Sequence, residues 1–233
     1  MLTGNPVRDA VIAVAGRAYE APAGEGPIHL LVFGGSQGAK VMSDVVPGAL
    51  ARLPDALRRR LAVVQQARAE DMDRAAAIYE AAGVDAELSP FFDDMPERIA
   101  TAHLVIGRSG ASTISELAVV GRPSILVPLP HSLDNDQKAN AEKLASAGAA
   151  WAVEQKNFTE EALANMLTSL LAAPAQLTAA ARAARAQGQP DAVRALADLV
   201  ERLGRGELET RRADGHVSGA GGSGALKFAI GGA

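Results

Sequence analysis

Short apolar runs alternate along this chain with segments of helical periodicity, and this alternation constrains the fold more than any other feature. The apolar runs predict strands at 28–33, 61–64, 86–88, 103–106, 124–127 and 150–153. The helical periodicity predicts helices at 39–50, 70–82, 95–101, 112–120, 136–147, 159–172, 175–186 and 190–203. Nearly continuous apolar strands alternating with helices are typical of a parallel sheet covered on both faces. The sequence therefore predicts an α/β fold, a doubly wound Rossmann-like domain.

The two ends of the chain differ from this middle part. Residues 1–25 contain Gly4-Asn5-Pro6 and are predicted to be a turn-rich arm that resembles an interdomain linker. Residues 26–203 form the predicted Rossmann-like domain. Residues 204–233 are rich in glycine, a composition too flexible to pack, and we expect this tail to be disordered.

Composition excludes several classes of protein. The 233 residues include no cysteine, which excludes disulfide scaffolds, zinc fingers and iron–sulfur sites. The net charge of −4 and the aromatic content of 3% argue against a nucleic-acid-binding protein. Histidine spacing predicts no metal site. No apolar run reaches the ~20 residues that span a bilayer and no secretory signal is recognisable, so we expect a soluble, cytoplasmic protein.

A glycine-rich segment, Gly34-Gly35-Ser36-Gln37-Gly38, follows the first predicted strand and opens a helix. Small residues there allow backbone N–H groups and the positive end of the helix to approach a phosphate closely. The segment does not match a P-loop. It does not match the dinucleotide fingerprint either, because Phe33 occupies the position of the first glycine of that fingerprint. It is interpreted either as a phosphate-binding turn or as a tight turn between strand and helix.

A second polar segment, from Arg108 to Glu116, follows the fourth predicted strand. The spacing of Thr113 and Glu116 matches a capping box, in which side chains satisfy the first N–H groups of a helix. Alternatively, the Glu116 carboxylate accepts hydrogen bonds from both hydroxyls of a ribose, while Ser109, Gly110 and Ser112 donate to a diphosphate. Both interpretations stay open, because the same carboxylate oxygens cannot fully serve both roles.

Two further segments follow the third and fifth predicted strands. Phe91 and Phe92 are interpreted either as a platform for a flat base or as a hydrophobic anchor before a helix with Pro96 near its start. Residues 128–137, with Asn140 in the following helix, are interpreted either as a loop that recognises sugar hydroxyls or as an ordinary solvated loop.

Together these segments resemble, in order and spacing, the C-terminal half of the MurG family of bacterial glycosyltransferases (glycosyltransferase family 28). The resemblance covers about residues 2–203 and rests on Thr3-Gly4-Asn5-Pro6-Val7-Arg8, Phe33-Gly34-Gly35-Ser36-Gln37-Gly38-Ala39, Phe92-Asp93-Asp94-Met95, the segment from Arg108 to Glu116, and Gln137 with Asn140. Members are inverting enzymes of the GT-B type. They transfer N-acetylglucosamine from UDP-N-acetylglucosamine to lipid I, which gives lipid II for peptidoglycan synthesis.

The resemblance implies a role for each segment. Ser36 and neighbouring amides would hold the diphosphate with help from Arg8, Phe92 would present its backbone to the uracil, Glu116 would bind the ribose and Gln137 the sugar. The donor-binding residues implied in this way are Arg8, Ser36, Gln37, Gly38, Phe92, Ser109, Gly110, Ala111, Ser112, Thr113, Ile114, Ser115, Glu116, Gln137 and Asn140. The resemblance implies neither a metal nor a cofactor beside the donor sugar nucleotide.

Members of the family begin with another Rossmann-like domain, which binds the acceptor and carries a histidine proposed as the general base. The resemblance therefore implies that this chain lacks the acceptor domain and the base, and we expect it to bind UDP-N-acetylglucosamine but to transfer little sugar alone. Its implied partners are the donor and, through an acceptor domain, lipid I. Peripheral contact with the cytoplasmic face of the inner membrane would occur only through that domain.

Three alternatives stay open. The chain is a non-catalytic donor-binding subunit completed in trans by a separate acceptor-domain protein, an inactive truncated product, or an NAD-dependent Rossmann enzyme. The helix at about 191–203 bears on the first alternative, because it places Val193, Leu196, Val200 and Leu203 on one side. We expect this stripe to be partly uncovered and to promote self-association or partner binding.

Overall fold

A computed structural model of the chain describes residues 3–35, 39–130, 132 and 135–205. Within these ranges strands and helices alternate as the sequence predicts. The strands are β1 (Ile28–Phe33), β2 (Leu61–Gln66), β3 (Asp85–Ser89), β4 (Leu104–Gly107), β5 (Ser124–Leu126) and β6 (Ala150–Ala152). The helices are α1 (Asp9–Val14), α2 (Lys40–Ala51), α3 (Asp55–Arg58), α4 (Ala69–Ala82), α5 (Met95–Thr101), α6 (Ala111–Val120), α7 (Asp136–Ser146), α8 (Glu160–Leu171), α9 (Pro174–Gln187) and α10 (Ala192–Gly204). A short 3-10 helix covers Gln155–Asn157.

The strands form one parallel sheet in the order β3-β2-β1-β4-β5-β6. The chain runs outward from β1 to β3 and then restarts beside β1 at β4, so the direction of winding reverses between β1 and β4. In such sheets the crevice at the reversal, beyond the carboxyl ends of the strands, is the usual ligand site. The predicted doubly wound Rossmann-like fold is confirmed.

Alternating residues of the central strands bury the two faces of this sheet. Leu30 and Val32 of β1 point into a core shared with α2, α4 and α8, whereas Leu31 and Phe33 point into a second core shared with α1, α5, α6 and α7. All four side chains are buried. Helices cover both faces of the sheet. Polar groups that could meet a ligand therefore lie at the carboxyl ends of the strands, where the following helices begin.

Glycine and proline end or start helices where the sequence places them. The residue after α4, Gly83, has a φ of +64°, and the residue after α6, Gly121, has a φ of +71°. Both are left-handed C-caps, which glycine adopts without steric cost. Pro96 lies in the first turn of α5, where its missing N–H has no helical partner to lose.

Residues 3–25 hold more structure than the turn-rich arm that we predicted. Helix α1 lies in this segment, and Val7, Val11 and Val14 are buried against the second core. These valines recur at helical spacing and form an apolar stripe, which packing stabilises although the helix is only 6 residues long. Short helix α3 was also not predicted. Residues 206–233, most of the predicted disordered tail, lie outside the described residues, whereas Gly204 is the last residue of α10.

Candidate functional site

A cleft of about 590 Å³ opens at the reversal of the sheet, and we call it the rim cleft. Its lining comes from segments that follow β1, β2, β4, β5 and β6. The lining residues are Gly34, Gly35, Ala39, Lys40, Val41, Asp44, Arg68, Arg108, Gly110, Thr113, Leu129, Gln137 and Gln155. Small-molecule sites usually have volumes of about 300–1,000 Å³, so the rim cleft is large enough for a ligand of that class.

Two helices begin at the rim cleft with N-cap residues that offer no capping side chain. The N-cap residues are Ala39 for α2 and Gly110 for α6, and neither of these two residues has a side chain that makes a capping hydrogen bond. The first N–H groups of a helix lack intrahelical partners and carry partial positive charge. The two helix ends therefore favour an anion in the rim cleft.

The last residue of β4, Gly107, allows the two strands beside the reversal to approach closely. It pairs with Phe33 of β1, and a Cβ added to Gly107 would lie 2.9 Å from the Phe33 carbonyl oxygen. Glycine is needed here because of this close approach of backbone to backbone. The approach holds the turns after β1 and β4 at one cleft.

Hydrogen bonds join the segments that follow β4 and β5. The Ser109 hydroxyl donates to the Gln137 carbonyl oxygen at 2.7 Å, and the Asn140 amide nitrogen donates to the Ser109 carbonyl oxygen at 3.1 Å. The Gln137 side-chain oxygen accepts from the Leu129 N–H at 3.0 Å. Ser109 and Asn140 thus use these groups to fix the start of α7. Gln137 reaches the cleft itself.

Arg108 supports one wall of the rim cleft. Its Nη1 donates to the carbonyl oxygens of Val127 at 3.1 Å and Pro128 at 3.0 Å, and its Nη2 donates to the Gln155 side-chain oxygen at 2.6 Å. Burial desolvates the guanidinium and lowers the pKa of Arg108 from its ordinary value. Arg108 therefore ties the end of β5 to the 3-10 helix.

Arg8 and Glu116 form a bidentate ion pair on the second turn of α6, and neither residue is among those that line the rim cleft. Arg8 Nε donates to Glu116 Oε1 at 2.9 Å, and Arg8 Nη2 donates to Glu116 Oε2 at 3.0 Å. The capping box is wrong: Thr113 lies inside α6, whose N-cap is Gly110, and the Glu116 carboxylate bonds to Arg8 instead of to the backbone. A guanidinium that offers two parallel N–H groups is a stronger partner than one backbone N–H, which explains the outcome. The structure thus brings together Arg8 and Glu116, which the sequence assigned to different parts of a donor.

The two phenylalanines after β3 have different surroundings. Phe92 is buried, and the Arg98 guanidinium carbon lies 4.2 Å from the centre of its ring, whereas Phe91 is exposed. This arrangement favours the hydrophobic-anchor interpretation over a two-ring platform for a base. Neither side chain is among those that line the rim cleft.

The remaining predicted donor-binding residues lie partly in the rim cleft, partly in a second groove and partly outside the described residues. Gly110 and Thr113 line the rim cleft, and Ser112 is exposed in the first turn of α6. Four of the predicted residues line a separate groove together with residues 3–5: they are Ala111, Ile114, Ser115 and Asn140. Ser36, Gln37 and Gly38 lie outside the described residues, so their predicted contacts with a diphosphate stay predictions.

Of the residues that line the cleft, Gly110, Thr113 and Gln137 were among the predicted donor-binding residues, whereas Lys40, Arg68 and Gln155, among others, were not. Lys40 and Arg68 are identifiable in principle, because each lies within a few residues of the end of a predicted strand, as the rim residues must. Gln155 carries no such signal, since it reaches the cleft from the short 3-10 helix after the edge strand β6.

Residues 3–35, 39–130, 132 and 135–205 contain neither a membrane-spanning helix nor a cluster of metal ligands. No helix in these ranges is long and apolar enough to cross a bilayer. The same ranges contain no group of three or more His, Cys, Asp or Glu residues placed to hold a metal ion.

Comparison with known proteins identifies the family. The model of the glycosyltransferase family 28 C-terminal domain matches residues 29–196. A protein of Methylobacterium nodulans is 62% identical over 199 residues, which are 85% of this chain and 53% of that protein. One of Rhodospirillum centenum is 59% identical over 198 residues, which are 85% of this chain and 52% of that protein. Both are named UDP-N-acetylglucosamine–N-acetylmuramyl-(pentapeptide) pyrophosphoryl-undecaprenol N-acetylglucosamine transferase.

The solved structures agree with the sequence relatives. The crystal structure of Acinetobacter baumannii MurG matches with a TM-score of 0.72 and 32% identity, over 81% of this chain and 55% of that one. The chain spans about half the length of the curated relatives it matches. Because the family model matches more than half of the chain, the chain belongs to glycosyltransferase family 28, and the part that matches is the C-terminal domain of the GT-B fold.

Proposed function

We propose that this chain binds UDP-N-acetylglucosamine in the rim cleft and presents the sugar for transfer. The observation that carries the proposal is the position of the cleft, at the reversal of a doubly wound sheet with two uncapped helix N-termini beside it. Such a place suits the diphosphate of a nucleotide sugar. The names of the relatives, which are UDP-N-acetylglucosamine-dependent transferases, support this particular donor.

Glu116 is compatible with a ribose in spite of its ion pair. An ionised carboxylate offers about four lone-pair sites, and the bidentate contact with Arg8 occupies two of them. The others are left for two ribose hydroxyls. Arg8 then holds the carboxylate in a fixed orientation, which is the role of a positioning residue.

Gln137 is compatible with recognition of the sugar. Its side-chain oxygen accepts from the Leu129 N–H, which fixes the orientation of the amide. The amide nitrogen is then available to donate to a sugar hydroxyl or to the acetamido carbonyl. Asn140 and Ser109 hold the backbone of the same segment in place.

The same arrangement favours sugar transfer, because negative charge grows on the departing UDP. Helix N-termini aimed at the diphosphate stabilise that charge in the transition state without reorganising. We propose that the protein supplies this stabilisation without a metal ion. The transfer also needs an acceptor and a general base that removes the proton of the acceptor's attacking hydroxyl group.

A calorimetric titration with UDP-N-acetylglucosamine tests the proposed donor binding. The wild-type chain is expected to bind, and Glu116→Ala is expected to lower the affinity by about 10-fold or more, since two hydrogen bonds to a charged group are lost. Glu116→Gln keeps the shape of the side chain and controls for misfolding. Binding of NAD in preference to UDP-N-acetylglucosamine would overturn the proposal.

We further propose that, together with an acceptor domain, the donor site transfers N-acetylglucosamine to undecaprenyl-diphosphate-linked muramoyl-pentapeptide at the cytoplasmic face of the membrane. This converts lipid I to lipid II in peptidoglycan synthesis. The name of the relatives, which mentions both the sugar nucleotide and the undecaprenol-linked acceptor, supports this donor and this acceptor. We expect little lipid II from the chain alone, and appreciable synthesis by the purified chain would contradict that expectation.

A second candidate function is that of a donor-binding subunit completed in trans by a separate acceptor-domain protein. The observation that favours it is the apolar stripe of α10, which is exposed at Val193, Leu196, Val200 and Leu203. An exposed stripe of this kind marks an interaction surface. Co-purification with an acceptor-domain protein and recovery of lipid II synthesis would support this function.

A further inference from the structure

Two cationic side chains border the rim cleft at the ends of neighbouring strands. Lys40 is the first residue of α2, which follows β1, and Arg68 immediately precedes α4, which follows β2. β1 and β2 pair in parallel, with Val32 opposite Gln65. The segments that follow the two strands therefore leave the same edge of the sheet, and both cations line the cleft there.

The positive charge of Lys40 is poorly neutralised by its surroundings. Its Nζ lies 3.8 Å from Asp44 Oδ2, which is beyond hydrogen-bond distance. The other carboxylate oxygen of Asp44 accepts a hydrogen bond from Arg74 Nη2 at 2.7 Å. Asp44 therefore has a closer cation, and the Lys40 ammonium is left for a ligand.

The Arg68 guanidinium also has few close partners. Its Nη1 lies 3.8 Å from Glu70 Oε1, and its Nε is buried without a hydrogen-bond partner among the described residues. A buried N–H that has lost its water and found no acceptor costs free energy, and such groups are uncommon. An acceptor that enters the rim cleft would satisfy the guanidinium.

Two other arginines, Arg108 in the cleft lining and Arg8 outside it, are committed to protein groups. Arg108 donates to two carbonyl oxygens and to the Gln155 side chain. Arg8, which the sequence resemblance assigned to the diphosphate, makes two hydrogen bonds to Glu116. Among the described residues that line the cleft, Lys40 and Arg68 are thus the cations whose donors are available.

We infer that Lys40 and Arg68 bind the diphosphate of the nucleotide-sugar donor, an inference that rests on the function proposed above. Ammonium and guanidinium groups make charge-assisted hydrogen bonds to phosphate oxygens, and these are among the stronger ones in proteins. Lys40 acts as a point charge at the start of α2, and Arg68 contributes a fork of N–H groups from the segment that follows β2. Together they add to the stabilisation of UDP as it departs.

Titration of the full chain with UDP and with uridine tests the inference, because uridine lacks the diphosphate. Lys40→Ala and Arg68→Ala are each expected to weaken UDP binding about 5- to 20-fold, a range that allows for their partial exposure to solvent. Uridine binding, followed by ligand-detected NMR, should change by less than about 2-fold. Arg194→Ala is the matched control: this exposed arginine of α10 lies outside the cleft lining, and its loss changes the net charge equally.

The possible failures are distinguishable. Unchanged UDP affinity in both variants would overturn the inference and leave the proposed function standing. An equal loss of UDP and uridine affinity would also overturn it, since the substitutions would then act on the folded cleft and not on the diphosphate. Failure of the wild-type chain to bind either UDP or UDP-N-acetylglucosamine would instead overturn the proposed function itself.

Discussion

At the scale of single residues, the two partners of the ion pair between Arg8 and Glu116 differ in burial. The Glu116 side chain is 9% exposed, whereas that of Arg8 is 59% exposed. Without Arg8, a nearly buried carboxylate would lose its partner, whereas without Glu116 the guanidinium would return to water. Removal of the arginine should therefore cost more stability than removal of the carboxylate charge.

Urea unfolding of single and double variants checks this asymmetry. We expect Arg8→Ala to lower the free energy of unfolding by about 1–3 kcal/mol, and Glu116→Gln by less. The double variant should be more stable than the sum of the two single changes predicts. Arg17→Ala is a suitable control, because Arg17 and Glu97 form an ion pair in which both side chains are about half exposed, and its effect should stay below about 1 kcal/mol. Strict additivity would contradict the argument.

A histidine at the opposite edge of the sheet makes the fold sensitive to acid. His103 Nδ1 accepts a hydrogen bond from the His29 backbone N–H at 2.9 Å. Burial, followed by the nearby charges of His29, Arg122 and Arg60, lowers the pKa of His103 to about 4. Protonation of Nδ1 would also remove the acceptor.

The sign of the pH effect follows from the lowered pKa. A histidine that is kept neutral by the fold contributes stability that is fully present above its unfolded pKa of about 6.5 and is lost as the pH falls towards 4. We expect a loss of about 1–2 kcal/mol over this range, reduced by the partial exposure of the ring. His103→Asn keeps an acceptor near the Nδ1 position and does not titrate, so its stability should fall less steeply with acid. Equal pH profiles for the two proteins would refute this role of His103.

At the scale of secondary-structure elements, the close approach of β1 and β4 couples stability to the geometry of the rim cleft. Gly107→Ala would place a Cβ 2.9 Å from the Phe33 carbonyl oxygen, so one strand must shift. We expect a loss of about 1–3 kcal/mol in the free energy of unfolding, together with weaker UDP binding. Gly16→Ala is the control, because nothing lies within 4 Å of the added Cβ, and it should change stability by less than about 0.5 kcal/mol. A stable Gly107→Ala variant with unchanged UDP affinity would contradict the prediction.

The elements themselves were largely predictable from the sequence, whereas the contacts between them were not. Periodicity found all six strands of the described sheet, because strands buried on both faces read as apolar runs. It missed α1, since a helix of 6 residues is stabilised by packing and not by its own sequence. The pair of Arg8 with Glu116 joins residues 108 positions apart, and only the folded chain brings them together. The local spacing of Thr113 and Glu116 therefore suggested a cap that a distant arginine prevents.

At the scale of the whole molecule, α10 leaves an apolar surface open to solvent. Val193, Leu196, Val200 and Leu203 are 49%, 40%, 60% and 45% exposed, which confirms that the predicted stripe is uncovered. Ala192 is the buried residue at the start of this helix, so α10 contributes little to either core. Covering an exposed row of large aliphatic side chains with a second surface removes apolar area from water and is therefore favourable.

We therefore expect the isolated chain to associate with itself as its concentration rises, because each copy offers the same stripe to another. Sedimentation velocity over a wide concentration range should show a shift towards a dimer or larger species, and the shift should be lost in Val200→Glu, where a charge interrupts the stripe. Arg194→Ala changes the net charge by the same amount from a position that is 86% exposed on the same helix, so it should associate like the wild type. A chain that stays monomeric at the highest concentration would show that the stripe does not pair with itself, and association that survives Val200→Glu would place the contact elsewhere. Since α10 lies outside the rim cleft lining, UDP affinity should be equal in the wild type and in Val200→Glu, which separates loss of association from loss of the fold.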